Sequence, residues 1–201
     1  MTRTDVLNDI IRMHKYSSYL EIGILNKKRN YNSIRCPIKQ GVDPALHSDS
    51  DGIHGVTSDV FFQDCKNTFD LIFIDGDHTF NQCAKDVNNA LMALNPGGCI
   101  VMHDCLPETP LEAARVKPDK FYAWCGGAYA VYMLALTQLD KKECCVINLD
   151  HGLAILKPKA PAYLLIDHYS EWDEYRECRE NGHMNIIERW SYENGCRLLL
   201  R

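Results

Sequence analysis

The sequence lacks a long apolar run, which bears on whether the protein uses a membrane. Its longest uninterrupted apolar stretch is AYAVYMLAL at 128–136, far short of the roughly 20 residues that a membrane-spanning helix needs. The opening segment, MTRTDVLNDIIRMH, carries charges throughout and has no apolar core of the kind found in a secretory signal peptide. We therefore expect no membrane partner.

The sequence also has no excess of basic over acidic residues. The 201 residues include 22 Lys and Arg against 27 Asp and Glu, which gives a net charge of −5. The only dense basic run, NKKRN at 26–30, is more typical of a solvated loop than of a binding patch. Nucleic acids and anionic membrane surfaces attract clustered positive charge, so we expect neither as a partner.

Cysteine pairs with C-x-x-C spacing are absent, although cysteine itself is abundant. None of the ten cysteines forms a C-x-x-C pair, and several lie inside apolar segments such as GGCIVMH and ECCVINL. This pattern is typical of reduced thiols in a protein core rather than of disulfides or a zinc site. It favours a cytoplasmic location.

Apolar periodicity and turn signals predict alternating strands and helices, and hence an α/β fold with a mostly parallel sheet. Helices are predicted at 5–14, 79–94 and 126–139. Strands are predicted at 18–24, 39–44, 55–58, 70–76, 99–104, 143–149 and 151–158. The expected architecture is a single domain over 1–201, a Rossmann-like three-layer sandwich with a core at about 17–157. Its seven-stranded sheet would carry an antiparallel hairpin strand at one edge, followed by a helical extension at 163–201.

Acidic residues stand at or near the carboxyl ends of four predicted strands. They are Glu21, Asp43, Asp75 and Asp104. Any one of them could cap the helix that follows. Ligands of open α/β sheets bind beyond the carboxyl ends of the strands, however, and four acids at that edge together indicate a binding site.

The turn after the first strand has too few glycines for a dinucleotide. A pyrophosphate site would use G-x-G-x-x-G there, whereas this chain has EIGILNKKRN, with Gly23 alone. Asp43 follows Glu21 by 22 residues, close to the spacing of about 20 at which an acid holds ribose hydroxyls. The two features favour an adenosine-bearing ligand without a diphosphate, such as S-adenosylmethionine (SAM).

Five segments in order resemble the class I SAM-dependent methyltransferases, and most closely methyltransferase family 24. They are YLEIGI, GVDP, TSDVFF, DLIFIDGDHTF and LNPGGCIVMHDCLP. The likeness covers about residues 17–157, and EWDEYRECRENGHMNII is also similar to the tail of that group. The turn after strand one departs from the pattern, because the usual second glycine is absent and Lys27 lies near its place.

The resemblance implies a role in SAM binding for each matched residue. Glu21 and Gly23 would lie against the methionine and ribose parts of the cofactor. Asp43 would take the ribose hydroxyls, and Ser58 with Asp59 would lie beside the adenine ring.

The resemblance also extends to metal-dependent sugar and catechol O-methyltransferases, which bind a divalent ion such as Mg²⁺ with acids after strands four and five. Asp75 and Asp104 match those positions, and Asp75 would also sit beside the methyl donor. The second strand-five ligand is usually Asp or Asn, whereas this chain has Cys105, and a hard cation prefers oxygen to sulfur. In some sugar methyltransferases a histidine three residues after the first acid is the base, and His78 matches it.

We therefore expect a SAM-dependent methyltransferase that acts on a hydroxyl of a small molecule or sugar, with His78 and Asp104 as catalytic residues. Two alternatives stay open: a protein of this fold that binds SAM without catalysis or hydrolyses with a metal, and a nicotinamide-dependent oxidoreductase on a related sheet. The long connection at 103–127 is the expected acceptor loop, with Tyr122 and Trp124 as candidate stacking residues. A homodimer is compatible with the sequence.

Overall fold

The computed structural model describes residues 1–48, 51–120 and 123–193, and its centre is one mixed sheet. The strands are β1 Ser18–Ile22, β2 Ile38–Val42, β3 Ile53–His54, β4 Phe69–Ile74, β5 Leu94–Met102, β6 Cys144–Asn148, β7 Leu153–Leu156 and β8 Ile186–Glu188. Their order across the sheet is β3-β2-β1-β4-β5-β7-β6-β8. The first five strands are parallel, as predicted.

Helices cover both faces of the sheet and complete the three layers. They are α1 Arg3–His14, α2 Ser58–Asp64, α3 Phe80–Met92, α4 Ala128–Gln138, α5 Trp172–Glu180 and α6 Arg189–Glu193, with 3₁₀ turns at Tyr31–Ser33 and Lys141–Glu143. Alternate residues of each strand point to opposite faces. Accordingly, Leu71 and Phe73 pack in the α1 layer, whereas Ile72 and Ile74 pack in the layer of α3 and α4. The predicted Rossmann-like sandwich is confirmed.

The predicted sheet is wrong in two details. Within the described residues, it has eight strands rather than seven, because Ile186–Glu188, in the extension predicted as helical, pairs in parallel with β6. The antiparallel strand β7 lies inside the sheet, between β5 and β6, and not at an edge. Its four residues, LAIL, are all buried, and a strand without a polar face suits the interior better than an exposed edge.

Element boundaries also differ near the candidate site. The strand predicted at 55–58 is the shorter β3 at Ile53–His54, and Ser58 instead begins α2. The reason is Thr57, whose side chain accepts a hydrogen bond from the Val60 N–H and caps this helix. Ser58 is therefore held at a helix start rather than in a strand.

One glycine lets the carboxyl ends of β1 and β4 approach closely. Gly23 has φ of +83°, and a Cβ at this position would collide with the carbonyl oxygen of Asp75. Only glycine takes this conformation without cost and leaves room for the neighbouring backbone. The turn after β1 is thereby fixed beside the first residue after β4.

The described cysteines are all free, and seven of the nine are buried. Adjacent Cys144 and Cys145 point to opposite layers of the sandwich, as neighbours on a strand do. In the described part of the chain, no helix is both long enough and apolar enough to cross a bilayer.

We expect nearly all ten cysteines to react with a thiol reagent when the native protein is unfolded without reductant. The reason is that the described thiols are unpaired and mostly desolvated, which keeps them neutral and protected. A count of six or fewer would mean that native disulfides exist and would contradict this prediction.

Candidate active site

A cavity of about 990 Å³ opens at the carboxyl ends of the parallel strands. Its lining includes all of the predicted site residues, namely Glu21, Gly23, Asp43, Ser58, Asp59, Asp75, His78 and Asp104. The acids after β4 and β5 come together because these strands are neighbours in the sheet, about 4.8 Å apart. The structure thus brings the predicted residues to one cavity, while their roles remain predictions.

Asp43 shapes the turn after β1. One carboxylate oxygen accepts hydrogen bonds from the N–H groups of Ile24 at 2.9 Å and Leu25 at 2.6 Å. The other accepts from the Ala45 N–H at 2.8 Å. Leu25 takes a left-handed conformation with φ of +51°, which a non-glycine residue adopts only where its surroundings compensate the strain. Asp43 therefore holds the backbone that borders the cavity.

Glu21 is an almost fully buried acid beside this turn. Its carboxylate accepts from the Tyr19 hydroxyl at 2.7 Å and from the Asn30 side-chain amide at 3.0 Å. Burial raises the pKa of Glu21 to about 7, even though both hydrogen bonds favour the charged form. The side chain therefore exchanges its proton near neutral pH.

Ser58 and Asp59, predicted beside adenine, meet the side chain of Gln82. Its amide nitrogen lies 3.2 Å from Ser58 Oγ and 3.1 Å from an oxygen of Asp59. The same nitrogen is 3.1 Å from Asp86 on the next turn of α3, and burial raises the pKa of Asp86 to about 6. Gln82 and Asp86 line the cavity but were not predicted, because polar residues on a helix carry no sign of which face they use.

His78 lies between the two acids that end β4 and β5. Its Nε2 is 3.4 Å from Asp75 Oδ1, and its Nδ1 is 3.0 Å from Asp104 Oδ2 and 3.2 Å from the Trp124 carbonyl. The ring stacks on Trp124, with centroids 5.9 Å apart. Burial alone would lower the pKa of His78, but the carboxylates of Asp75 and Asp104 outweigh it and raise this pKa. Two acids and an aromatic ring therefore fix the orientation of the imidazole.

Trp124 is anchored as well as stacked. Its indole N–H donates to the Ala114 carbonyl at 2.6 Å, which ties the two parts of the predicted acceptor loop together. The other stacking candidate, Tyr122, lies outside the described residues.

His103 was missed, although it directly precedes Asp104. Its Nδ1 lies 3.0 Å from oxygens of both Asp75 and Asp104, and its Nε2 lies 3.5 Å from Asp150. None of these contacts has hydrogen-bond geometry within the described residues. Burial would lower the pKa of His103, but the three carboxylates raise it well above the ordinary value. The ring is therefore a positive charge placed among acids.

Arg3, at the start of α1, completes the set of positive charges. Its guanidinium donates to Asp75, and its Nε lies 2.5 Å from Asp150 Oδ2. Burial alone would raise the pKa of Asp75, but His103, His78 and Arg3 together lower it well below its usual range. The acids gathered at this edge are thus balanced by basic side chains of the chain itself, in addition to any bound cation.

The donor atoms around Asp104 can also hold a divalent ion. Asp75, His78 and Asp104 offer one ligand atom each, all within 4.8 Å of one another, and carboxylates with imidazole suit several divalent metals. Cys105 does not join them, because its sulfur lies 3.5–3.9 Å from the backbone carbonyls of Met102, His103 and Ala128. The residue that departs from the expected ligand pattern therefore faces away from the cavity.

Comparison with known proteins agrees with the sequence motifs. Residues 33–105 match the model of methyltransferase family 24, described as a methyltransferase domain. The predicted resemblance is confirmed. Among curated proteins, none matches the sequence significantly.

Solved methyltransferase structures share the fold at low sequence identity. The O-methyltransferase from Bacillus cereus in complex with S-adenosylhomocysteine (SAH) is 14% identical, with a TM-score of 0.51 over 78% of this chain and 82% of that one. TomG from Streptomyces achromogenes in complex with SAM is 13% identical, with a TM-score of 0.54 over 79% and 80% of the two chains. MycE, crystallised with Mg and SAH, is 14% identical with a TM-score of 0.55, and the match covers 89% of this chain but 55% of MycE.

The buried Glu21 generates a prediction about stability and pH. Its pKa is about 7 in the folded protein and about 4.5 in the unfolded chain, so the folded state binds the additional proton between these values. The free energy of unfolding should therefore fall as pH rises from 5 to 8. Glu21→Gln keeps a hydrogen-bond acceptor for Tyr19 and Asn30 but cannot titrate. Its free energy of unfolding should therefore lack the decrease due to Glu21, which amounts to about 3 kcal/mol in the wild type.

Urea unfolding at several pH values measures this difference. The exposed Glu180→Gln on α5 is the matched control and should follow the wild type. If the wild type and Glu21→Gln have the same pH dependence, Glu21 does not carry the shifted pKa.

Proposed function

We propose that the protein is a SAM-dependent O-methyltransferase that acts on a hydroxyl of a small molecule or glycan. The observation that carries this proposal is the single cavity that joins the turn after β1 to His78 and the acids after β4 and β5. The family match supports the proposal, and so does the shared fold of O-methyltransferases crystallised with SAM or SAH.

The proposed cofactor end of the cavity is the part between β1, β2 and α2. SAM supplies an electrophilic methyl group for transfer to a nucleophile. Gly23 keeps the backbone free of a side chain there, and Asp43 fixes the turn. Ser58 and Asp59, at the start of α2, form the far side. The fit is to an adenosine-bearing ligand, because one glycine in the turn leaves no site for a pyrophosphate.

The proposed catalytic end is built around His78. In its neutral form, the imidazole would take the proton from the acceptor hydroxyl, which makes the oxygen a better nucleophile. Because Asp75 and Asp104 raise the pKa of His78, they would also stabilise the imidazolium that results. Asp104 and Trp124 hold the ring in place by contacts with its Nδ1 and its face. Asp75 and Asp104 would hold a divalent ion such as Mg²⁺, which lowers the pKa of a hydroxyl that it contacts.

The alternatives are less well supported. A nicotinamide-dependent oxidoreductase would need the glycine-rich turn that EIGILNKKRN does not provide. A protein that binds SAM without catalysis would share the fold and differ in the acceptor reaction. The free thiols support the proposed cytoplasmic location, since thiols persist in a reducing compartment.

We expect SAH to bind in isothermal calorimetry and NAD to give no signal, because the turn after β1 suits adenosine without a diphosphate. Asp43→Ala should weaken SAH binding at least tenfold, or about 1.4 kcal/mol, since three N–H groups of the neighbouring backbone lose their acceptor. Asp173→Ala, an exposed substitution on α5, should leave binding unchanged. Binding of NAD alone would replace the methyltransferase proposal by that of an oxidoreductase.

We expect His78→Ala to reduce methyl transfer about 10²–10⁴-fold, as loss of a general base does, while SAH binding stays close to that of the wild type. The measurement needs an acceptor, which a screen of glycans and phenols with labelled SAM can supply. His168→Ala, outside the cavity, is the matched control. Full activity of His78→Ala would show that His78 is not the general base.

The metal is tested in the same assay by comparing turnover with Mg²⁺ and with EDTA. If a divalent ion assists the reaction, EDTA lowers turnover, and Asp104→Ala lowers it in both conditions. Full turnover in EDTA would remove the ion from the proposal.

A further inference from the structure

A second group of metal-type ligands shares Asp104 with the group that contains His78. Single ligand atoms of Asp104, Cys125 and His151 all lie within 4.8 Å of one another. The three residues come from three separate connections: after β5, before α4 and between β6 and β7. No spacing in the sequence reveals such a group, because its members are far apart in the chain.

Backbone contacts fix Asp104 and His151 in position. Both residues are left-handed, with φ of +61° and +59°. The His151 carbonyl accepts from the Leu106 N–H at 2.7 Å, and the Gly152 carbonyl accepts from the Cys105 N–H at 3.2 Å. The turn before β7 is thus joined to the backbone after β5, and it presents His151 beside Asp104 at the cavity wall.

Cys125 is held from two directions. Its N–H donates to the Glu112 carbonyl at 2.9 Å, and two residues later the Gly127 N–H donates to the His78 carbonyl at 2.7 Å. Gly126 between them is left-handed, and a Cβ there would collide with the same His78 carbonyl. The segment is therefore packed against the His78 backbone, and the cysteine has little freedom to move away.

The surroundings of Cys125 differ from those of Cys105, although both residues are completely buried. The Cys105 sulfur lies among three backbone carbonyls. The Cys125 sulfur has the Ala123 carbonyl at 3.8 Å and shares its ligand cluster with a carboxylate and an imidazole.

We propose that Asp104, Cys125 and His151 bind a borderline-soft divalent ion of the Zn²⁺ class at the cavity wall. Carboxylate, thiolate and imidazole are the ligand types of protein zinc sites, and three protein ligands leave a fourth position for water or an acceptor oxygen. A thiolate favours such an ion over Mg²⁺. Two anionic ligands balance its charge, and binding forms a metal–sulfur bond while the thiol proton passes to solvent.

This site has two ligands, Cys125 and His151, that the expected Mg²⁺ position of Asp75 and Asp104 lacks, and it goes beyond the proposed methyl transfer. The two positions share Asp104, whose carboxylate has two oxygens. Cys125 and His151 belong to the second position alone, which makes them the residues to vary.

The test uses chelator-treated full-length protein, a non-thiol reductant, and Co²⁺ and Zn²⁺ as probes. We expect Co²⁺ to give a thiolate charge-transfer absorption and to release the thiol proton as it binds. Zn²⁺ should then displace the Co²⁺ and abolish the absorption without further proton release. Cys125→Ser should abolish the absorption, and His151→Ala should weaken Zn²⁺ binding at least tenfold. Cys105→Ser is the matched control for a buried thiol and should keep the absorption, as should Asp75→Asn.

No thiolate absorption in the wild type, or undiminished absorption in Cys125→Ser, would overturn the proposal. If Cys125→Ser does not fold, the exposed His151→Ala decides: unchanged Zn²⁺ binding would overturn the site. SAH binding to the metal-free protein is measured separately by calorimetry. A failure of the cofactor proposal can therefore be distinguished from a failure of the metal site.

Discussion

The candidate site depends on a cluster of carboxylates at one edge of the sheet, whose negative charge is neutralised by basic side chains. Asp75, Asp104 and Asp150 meet there, and ionised carboxylates so close together repel one another unless cations lie among them. Arg3 and His103 supply the positive charge. Because Arg3 lies in the first turn of α1, its ion pairs also hold the start of this helix against the site. The helix begins with a capping box between Thr2 and Asp5.

The internal antiparallel strand explains why ligands from the second half of the chain reach the same edge. β7 runs opposite to β5, so the start of β7 lies beside the end of β5. The left-handed turn before β7 therefore brings Asp150 and His151 to the acids that follow the parallel strands. Had this strand lain at the edge of the sheet, as predicted, these residues would have been placed away from Asp104.

The sequence predicts those site residues that follow a local pattern of apolar and polar residues. It does not predict those that reach the site only through tertiary contacts. Buried apolar runs that end in Asp75 and Asp104 locate two strand ends, and the short connection through α3 makes their strands neighbours. Arg3 and His151 carry no such local signal, because each reaches the cavity from a helix start or a turn whose position depends on packing. The hydrogen bonds that Asp43 accepts from Ile24 and Leu25 were not predicted either, because they require the folded turn, and its role in binding ribose stays a prediction.

Asp104 is the residue on which both proposals converge, and its conformation explains how it can serve both. Its left-handed backbone at the end of β5 is strained for a residue other than glycine, and such strain persists where the surroundings determine it. One side of the carboxylate faces the imidazoles of His78 and His103, while Cys125 and His151 lie within ligand distance of it. Substitution of Asp104 would therefore remove an orienting contact of the proposed base and a ligand of the proposed metal together. The two proposed functions can be tested separately only by varying a residue that takes part in one of them. His78 belongs to the proposed catalytic end alone, and His151 belongs to the proposed Zn²⁺ site alone.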